Sequence, residues 1–380
     1  MLTTRAADLS RPVDGAVLGV RALNRALLHR QLLLHRQELS VADALEHLVG
    51  LQSQNPNGPY IALWSRLADF DPEELADLVA ARKVARVALM RWTLHAVTAR
   101  DCLALRPVVQ PVIERRLKAT FGRDLAGIDL DALASRGRAF VEHEPRSFGD
   151  IGRLLANEWT GYEPRALANA MSALVPLVHV PPRGLWGRNG RAVQTTAERW
   201  LGRPLECATQ PDELIMRYLG AFGPASVADM RAWSGLTRLD TTIERLRPLL
   251  RSFRDEDGDE LLDVLDGALP DPETPAPARF LADFDNAVLG HANRARIDAA
   301  TRRKRAVGPR TFLLDGFIAG TWRLIRGRRV ATLEIAPFDA IEREQRIALA
   351  EEGMRLLTFL TASVEPDVRI HVRFAANDRA

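Results

Sequence analysis

Residues 147–150 read Ser-Phe-Gly-Asp and open the stretch that indicates how this chain folds. A serine suits the N-cap of a helix, and an acid three residues later suits the positive end of that helix. A second helix, Pro164–Leu174, precedes an apolar strand over Leu177–Val180, a turn rich in Pro, Gly and Arg, and a strand over Ala192–Thr195. Helix, helix and hairpin in this order are typical of a winged-helix unit.

The same Ser-x-x-Asp pattern opens helices at Ser40–Asp43 and at Ser226–Asp229, with irregular spacing that favours repeated small domains over a solenoid. After the last copy, a helix over Leu239–Leu250 precedes a hairpin with the acidic turn Asp255–Asp259. The strands of that hairpin are predicted over 251–254 and 261–265. The first copy is elaborated by helical segments over 59–69 and 72–82 and by strands over 84–90 and 93–98.

A proline-rich segment, Asp271–Pro277, marks the clearest domain boundary, and the pattern beyond it becomes β. Asp315-Gly316 predicts a hairpin turn. The elements predicted here are strands over 310–314, 317–323, 329–335 and 368–374, and a helix over 340–360. The sequence thus predicts an α+β protein with tandem winged-helix units followed by a C-terminal β-barrel-like domain. The predicted domains are 15–125, 126–205, 206–269 and 279–380.

Composition excludes several classes of protein. The chain has 380 residues, is 47% apolar and carries a formal charge of +3, so any surface for nucleic acid must be local. Cys102 and Cys207 cannot form a disulfide framework or a cysteine-rich zinc site. The N-terminal residues lack the apolar region of a signal peptide, and no run approaches the ~18 apolar residues of a membrane span. We therefore expect a soluble, cytoplasmic protein.

Gln52 and Gln54 flank Ser53 just after a segment with helical spacing, Ser40–Val49. Because prolines follow at once, both glutamines are predicted to lie on the last helical turn or in the loop beyond it. An amide cannot act as a base near neutral pH, but it can orient water by accepting one hydrogen bond and donating another. Such a device requires a leaving group that departs readily. The tripeptide alone is equally typical of a polar helix end.

The segments around the pair carry a family resemblance. They read QSQNP at 52–56, YIALWSRL at 60–67, LMRWTLH at 89–95, LADFDNAVLG at 281–290 and DGFIAGTWR at 315–323. Together they resemble the winged-helix DNA glycosylases of the AlkZ type, in which a glutamine, an aliphatic residue and a glutamine form the catalytic motif. The resemblance implies that Gln52 and Gln54 are catalytic, that Ser53 departs from the aliphatic residue, and that a β-barrel packs against the winged-helix units.

The reaction implied is hydrolysis of the N-glycosidic bond of N7-alkylated purine nucleotides, which leaves an abasic site. A purine alkylated at N7 carries a positive charge that bond breakage discharges, so little acid assistance is needed. Lysine occurs only at 83, 118 and 304, so few amines can form a Schiff base, and water is the expected nucleophile. By resemblance, substrates include bulky natural-product adducts and interstrand crosslinks, with repair or self-resistance as the role. The alternative is a non-catalytic winged-helix protein that regulates by binding DNA.

The expected partner is double-stranded DNA carrying alkylated or crosslinked purines, bound by a monomer. Predicted DNA contacts are Arg91, Trp92, His95, Arg183, Arg188, Arg191, Arg302, Arg303, Lys304 and Arg305. The middle turn, 181–191, is basic and either contacts DNA or is merely solvated, whereas the acidic turn 255–259 would be repelled by phosphate. Arg302 to Arg305 form either a phosphate clamp or a solvated face. The family also inserts a hairpin into DNA near the lesion, for which 291–310 is the preferred region.

No metal or other cofactor is expected. His47 and His95 lack His, Cys or carboxylate neighbours at the spacing of metal ligands. Glu142-His143-Glu144 is followed by a proline that ends the helix, so we interpret it as surface. The chain has no glycine-rich phosphate loop, serine nucleophile elbow or dinucleotide-binding fingerprint.

Overall fold

A computed structural model describes residues 15–207, 210–298, 308–362 and 369–375. The α-helices are α1 Val20–Arg30, α2 Val41–His47, α3 Gly58–Trp64, α4 Pro72–Ala80, α5 Ala99–Phe121, α6 Leu130–His143, α7 Phe148–Ala156, α8 Pro164–Leu174, α9 Ala197–Leu201, α10 Asp212–Phe222, α11 Val227–Ser234, α12 Asp240–Leu246, α13 Asn286–Leu289 and α14 Arg343–Ala362. Short 3-10 turns lie at Met90–Trp92 and Arg247–Leu249. None of the helices in these ranges has the length and apolar character needed to cross a membrane.

The strands fall into three sheets. They are β1 Leu51–Gln52, β2 Val84–Ala88, β3 Leu94–Thr98, β4 Arg146–Ser147, β5 Leu177–Val180, β6 Val193–Thr196, β7 Leu250–Arg254, β8 Glu260–Val264, β9 Arg279–Phe280, β10 Thr311–Leu314, β11 Phe317–Arg326, β12 Val330–Pro337 and β13 Arg369–Phe374. The α+β class predicted from the sequence is confirmed.

All three Ser-x-x-Asp caps are confirmed. The side chains of Ser40, Ser147 and Ser226 each accept a hydrogen bond from the backbone N–H three residues later, at the start of α2, α7 and α11. At Ser226 the acid also accepts from the backbone N–H of the serine, which completes a capping box. These local signals are readable from sequence because both partners lie within one helical turn.

The order helix, helix, hairpin occurs after the second and third caps. It is formed by α7, α8, β5 and β6, and again by α11, α12, β7 and β8. The β7–β8 hairpin forms its own two-stranded sheet, whereas β5 and β6 join a six-stranded sheet of order β1-β3-β2-β5-β6-β4. The junction is the pair Val87 and Val178, so strands predicted for the first and middle units share one sheet.

The C-terminal sheet has the order β13-β12-β11-β10-β9. Strands β12 and β13 run parallel, and the other neighbours are antiparallel. The predicted turn at Asp315-Gly316 connects β10 to β11, with both residues at positive φ. Strands β9 and β13 stand at opposite edges and do not pair among the described residues. The sheet is therefore open on one side and only in part resembles the barrel predicted.

A hydrophobic core joins the C-terminal sheet to the segments around the glutamines. Tyr60 and Leu63 of α3 belong to the same buried cluster as Phe280, Trp322 and Leu333 of the sheet. Two buried ion pairs join residues that are far apart in the sequence. Arg66 pairs with Asp285, with 2.7 Å between Nη2 and Oδ1, and Arg30 pairs with Asp263. Removing one partner of such a pair leaves an uncompensated buried charge, which costs about 3–5 kcal/mol. The first pair joins a residue just after α3 to the segment between β9 and α13, and so helps to hold the C-terminal sheet beside the motif, whereas the second joins α1 to β8.

Candidate active site

Gln52 is the last residue of strand β1, which is neither of the two predicted positions, whereas Gln54 lies in the bend after that strand and thus in a loop beyond the helix. Helix α2 ends at His47, and the chain reverses through Val49 and Gly50, at φ of 54° and 83°, before entering β1. A Cβ on Gly50 would lie 2.5 Å from the Val97 side chain, so a residue other than glycine would displace β3. Gln52 then pairs with His95 of β3. A two-residue strand carries too little sequence pattern to be recognised without its partner.

Both glutamine side chains are held by their carbonyl oxygens. Gln52 is 9% exposed, and its Oε1 accepts a hydrogen bond from Arg91 Nη2 at 3.0 Å. Gln54 is exposed, and its Oε1 accepts from the backbone N–H of Leu94 at 3.1 Å. Neither amide nitrogen donates to another described residue. The N–H donors and the second lone pair of each oxygen are thus available to water or substrate.

Arg91 and Trp92 form the tight connection between β2 and β3. Both adopt left-handed φ, 55° and 57°, a conformation that costs energy for side chains of this size. Arg91 also donates to the backbone oxygen of Trp233, so two acceptors fix its guanidinium. Burial, with the nearby charge of Arg116, lowers the pKa of Arg91 to about 10, which leaves it charged at neutral pH. Trp92 is half-buried and packs against the larger hydrophobic core.

His95 lies beneath the motif. Residues directly opposite in an antiparallel pair project to the same face, so the imidazole accompanies the Gln52 side chain. The residue is 2% exposed, its Nδ1 lies 2.8 Å from the oxygen of Thr93, and burial lowers its pKa to about 3. It is therefore neutral at physiological pH. In this conformation the ring would reach a DNA phosphate only if the chain above it moved.

Ser53 is completely buried between the buried Gln52 and the exposed Gln54. Its backbone N–H donates to the oxygen of Leu94 at 2.7 Å. Arg86 of β2 donates from Nε to Ser53 Oγ at 2.8 Å and from Nη2 to the Ser53 oxygen at 2.9 Å. Both oxygens of Ser53 are therefore bound by one guanidinium.

A cavity of about 500 Å³ opens beside Pro56 and Asn57, just after the motif. Its walls carry four arginines: Arg183, Arg188, Arg310 and Arg326. Trp186 lies at the buried base of the cavity and stacks on Phe359 at 5.0 Å. The side chains of Arg183 and Arg188 are exposed and make no hydrogen bond or ion pair within the described ranges. This arrangement produces a positive field next to the glutamines.

The remaining predicted contacts have different surroundings. Arg191 forms an ion pair with Asp150 at 2.7 Å, although its own turn contains no acid. Arg302, Arg303, Lys304 and Arg305 lie outside the described residues, as does the whole stretch 299–307 within the preferred hairpin region. In the part of the chain that the structure describes, no three His, Cys, Asp or Glu side chains lie together as metal ligands. Glu142 instead accepts hydrogen bonds from Arg138 and Thr196.

Sequence reasoning missed Arg86 and Arg326, and it included Arg310 only as the last residue of the preferred hairpin region 291–310. Arg86 interrupts an otherwise apolar strand, VARVA, and that interruption was the available signal. Arg310 stacks over Trp322 at 4.9 Å and contacts Asp283 at 3.4 Å, while Asp283 also contacts Asn55. The contact between Asn55 and Asp283 joins positions more than 200 residues apart, and no local pattern indicates it.

The sequence model of a family described as "DNA glycosylase AlkZ-like" matches residues 45–359. A curated relative, "Interstrand DNA cross-link repair glycosylase" from Streptomyces sahachiroi, is 24% identical over 369 residues, covering 87% of this chain and 95% of that protein. The solved structure "Streptomyces sahachiroi DNA glycosylase AlkZ" superimposes with a TM-score of 0.72 at 19% identity, covering 94% of this chain and all of that one.

Proposed function

The chain belongs to the AlkZ-like DNA glycosylase family, and from that premise we propose that it hydrolyses the N-glycosidic bond of N7-alkylated purine nucleotides in duplex DNA. The proposed substrates include interstrand crosslinks, because the relative from Streptomyces sahachiroi is named for their repair. The product is an abasic site. Family membership favours this enzyme over the non-catalytic regulator.

The observation that carries the proposal is the state of the two amides. Their carbonyl oxygens are fixed by Arg91 and by the Leu94 N–H, so their remaining donors and lone pairs have a defined orientation. Such groups can hold a water molecule beside C1′ and direct a lone pair at it without removing a proton in advance. This suffices when a cationic base leaves, because the leaving group needs no acid and the sugar develops the positive charge.

The arginine cavity supports the proposal that DNA binds beside the motif. Phosphates neutralised by Arg183, Arg188, Arg310 and Arg326 would bring the duplex backbone against Asn57, close to the glutamines. Phosphate charge would also offset the cationic Arg91, which otherwise opposes an oxocarbenium-like sugar. We assign α7, α8, β5 and β6 to a winged-helix unit that presents this surface, and we propose that one chain acts alone on the duplex.

Base release from defined DNA tests the proposed function. Duplexes containing N7-methylguanine or an interstrand crosslink at N7 of guanine are incubated with the protein, and abasic sites are cleaved with alkali. We expect strand cleavage at the lesion and none in undamaged DNA. Binding without any abasic product from either substrate would overturn the enzyme and restore the regulator.

A further inference from the structure

We propose that Arg86 is a positioning residue for base release, acting through Ser53 on the peptide that leads into Gln54. The inference rests on the proposed function, because it concerns the same pair of glutamines. Arg86 is not among the residues that line the arginine cavity. Its guanidinium contacts Ser53, the residue between the two glutamines.

The geometry is that of a two-pronged clamp on one residue. Arg86 Nε binds the Ser53 side chain, and Nη2 binds its backbone oxygen, at 2.8 and 2.9 Å. The Ser53 oxygen belongs to the peptide group that begins Gln54, so the clamp fixes the plane of that peptide. On the other side, β3 accepts the Ser53 N–H and donates the Leu94 N–H to the Gln54 side chain. Strands β2 and β3 thus hold the Ser53–Gln54 unit from both sides.

The clamp has an energetic cost, because it buries a charged side chain. Arg86 is 5% exposed, its hydrogen bonds go to Ser53, and it forms no ion pair with a described carboxylate. Burial, together with the charge of Arg183, lowers the pKa of Arg86 to about 10, so the side chain remains charged. Its third nitrogen, Nη1, is buried without a hydrogen-bond partner. An aliphatic side chain in this apolar strand would avoid the penalty of burying an unpaired charge.

Glycine at position 184 gives the clamp its space. A Cβ on Gly184, at φ of 99°, would lie 2.8 Å from Arg86 Nη1, so the middle turn covers the guanidinium closely. The clamp is thereby sealed between the motif and the basic turn. Ser53 completes the set, because an aliphatic residue would leave Arg86 Nε without an acceptor. The serine at position 53 and the buried Arg86 therefore depend on each other.

The test separates rate from binding. In the full-length protein, Arg86→Met, Arg86→Lys and Ser53→Ala are compared with the wild type by single-turnover release of N7-methylguanine and by DNA affinity. We expect Arg86→Met to slow release by about 10- to 100-fold with unchanged affinity, since misplacing a reacting group by about 1 Å costs this much. Lysine should fail to restore the rate, because an ammonium lacks the planar fork. Ser53→Ala should slow release less.

Arg106→Met is the matched control. Arg106 is also a buried arginine with its pKa lowered to about 10, but it donates to the oxygen of Ala173 and contacts no residue of the motif. It should lower the melting temperature without changing the release rate of the folded protein. Equal rate losses in Arg86→Met and Arg106→Met would indicate general destabilisation and overturn the proposal.

The double variant Arg86→Met with Ser53→Ala measures the coupling. We expect it to release base no more slowly than Arg86→Met alone, because both changes break the same clamp. Rate losses that multiply would contradict a shared role. If Arg86→Met does not fold, Ser53→Ala decides alone, and an unchanged rate overturns the clamp. An inactive wild type would instead contradict the proposed function.

Discussion

The two hairpins that follow the repeated helix pairs have opposite charge and opposite surroundings. The middle turn, residues 181–192 between β5 and β6, is named the middle wing after the winged-helix unit proposed above; it carries three arginines, and two of them line the cavity beside the motif. The third wing, residues 255–259 between β7 and β8, carries four acidic residues. One order of elements therefore produces two surfaces, of which only the middle one suits a polyanion.

The contacts of the two hairpin turns explain why they differ in charge. Glu256 of the third wing accepts the backbone N–H of Val20 at 3.2 Å, and Leu18 donates to the oxygen of Arg254 at 2.8 Å. The third wing therefore ties down the start of α1. Arg183 and Arg188 of the middle wing have no such partner among the described side chains. The acidic side chain of Glu256 thus takes part in an internal contact, whereas these two arginines of the middle wing are available to bind a ligand.

Charge reversal in the middle wing should have the largest effect on DNA affinity. Arg183→Glu with Arg188→Glu places two acids where phosphate is proposed to bind, and we expect DNA affinity to fall by about 100-fold at low salt. Fluorescence anisotropy with a short duplex measures this loss. Affinity within a factor of about two of the wild type would remove the middle wing from the DNA surface.

A buried imidazole on β5, just before the middle wing, makes the free energy of unfolding depend on pH. His179 of β5 lies 2.9 Å from Gln194, and burial, with the charges of Arg86 and Arg183, lowers its pKa to about 3. Because the folded pKa is below the unfolded value, its contribution to the free energy of unfolding is present above about pH 6.5 and is lost as the pH falls. The loss approaches about 1.4 kcal/mol per pH unit. Denaturant unfolding of His179→Gln should show a shallower decline, whereas parallel declines would contradict this role.

Neutralising the middle wing should have a smaller, salt-dependent effect. Arg183→Ala with Arg188→Ala removes two proposed phosphate contacts, which should reduce the slope of log affinity against log salt by about 2. Titrations between about 50 mM and about 200 mM salt measure the slope. An unchanged slope would show that neither arginine releases counterions.

The third wing provides the smallest expected effect. Asp257→Asn with Asp259→Asn removes two exposed acids while leaving the Asp255 side chain that accepts the N–H groups of the turn. We expect DNA affinity to stay within about a factor of two, because charges beyond a Debye length of about 10 Å are screened. A gain as large as the loss caused by the middle-wing alanines would place the third wing against DNA.

Local signals made much of the fold predictable. The three serine caps, the strand Leu177–Val180 and the turn at Asp315-Gly316 depend on residues a few positions apart, and the structure has each of them. The strand at Gln52 and the Arg86 clamp depend on β2 and β3, which lie more than 30 residues away. Arg66 and Asp285 likewise meet only in the folded core. These features were not predicted because they depend on contacts between distant residues, which leave no periodic pattern in the sequence.

Two neutral glutamines, Gln52 and Gln54, are proposed to catalyse release of the base. The most direct test is single-turnover release of N7-methylguanine by the double variant Gln52→Ala with Gln54→Ala, with DNA affinity measured on the same preparation. We predict that release is abolished while affinity is largely retained, because phosphate contacts supply most of the binding. A double variant that releases base at the wild-type rate would contradict the account.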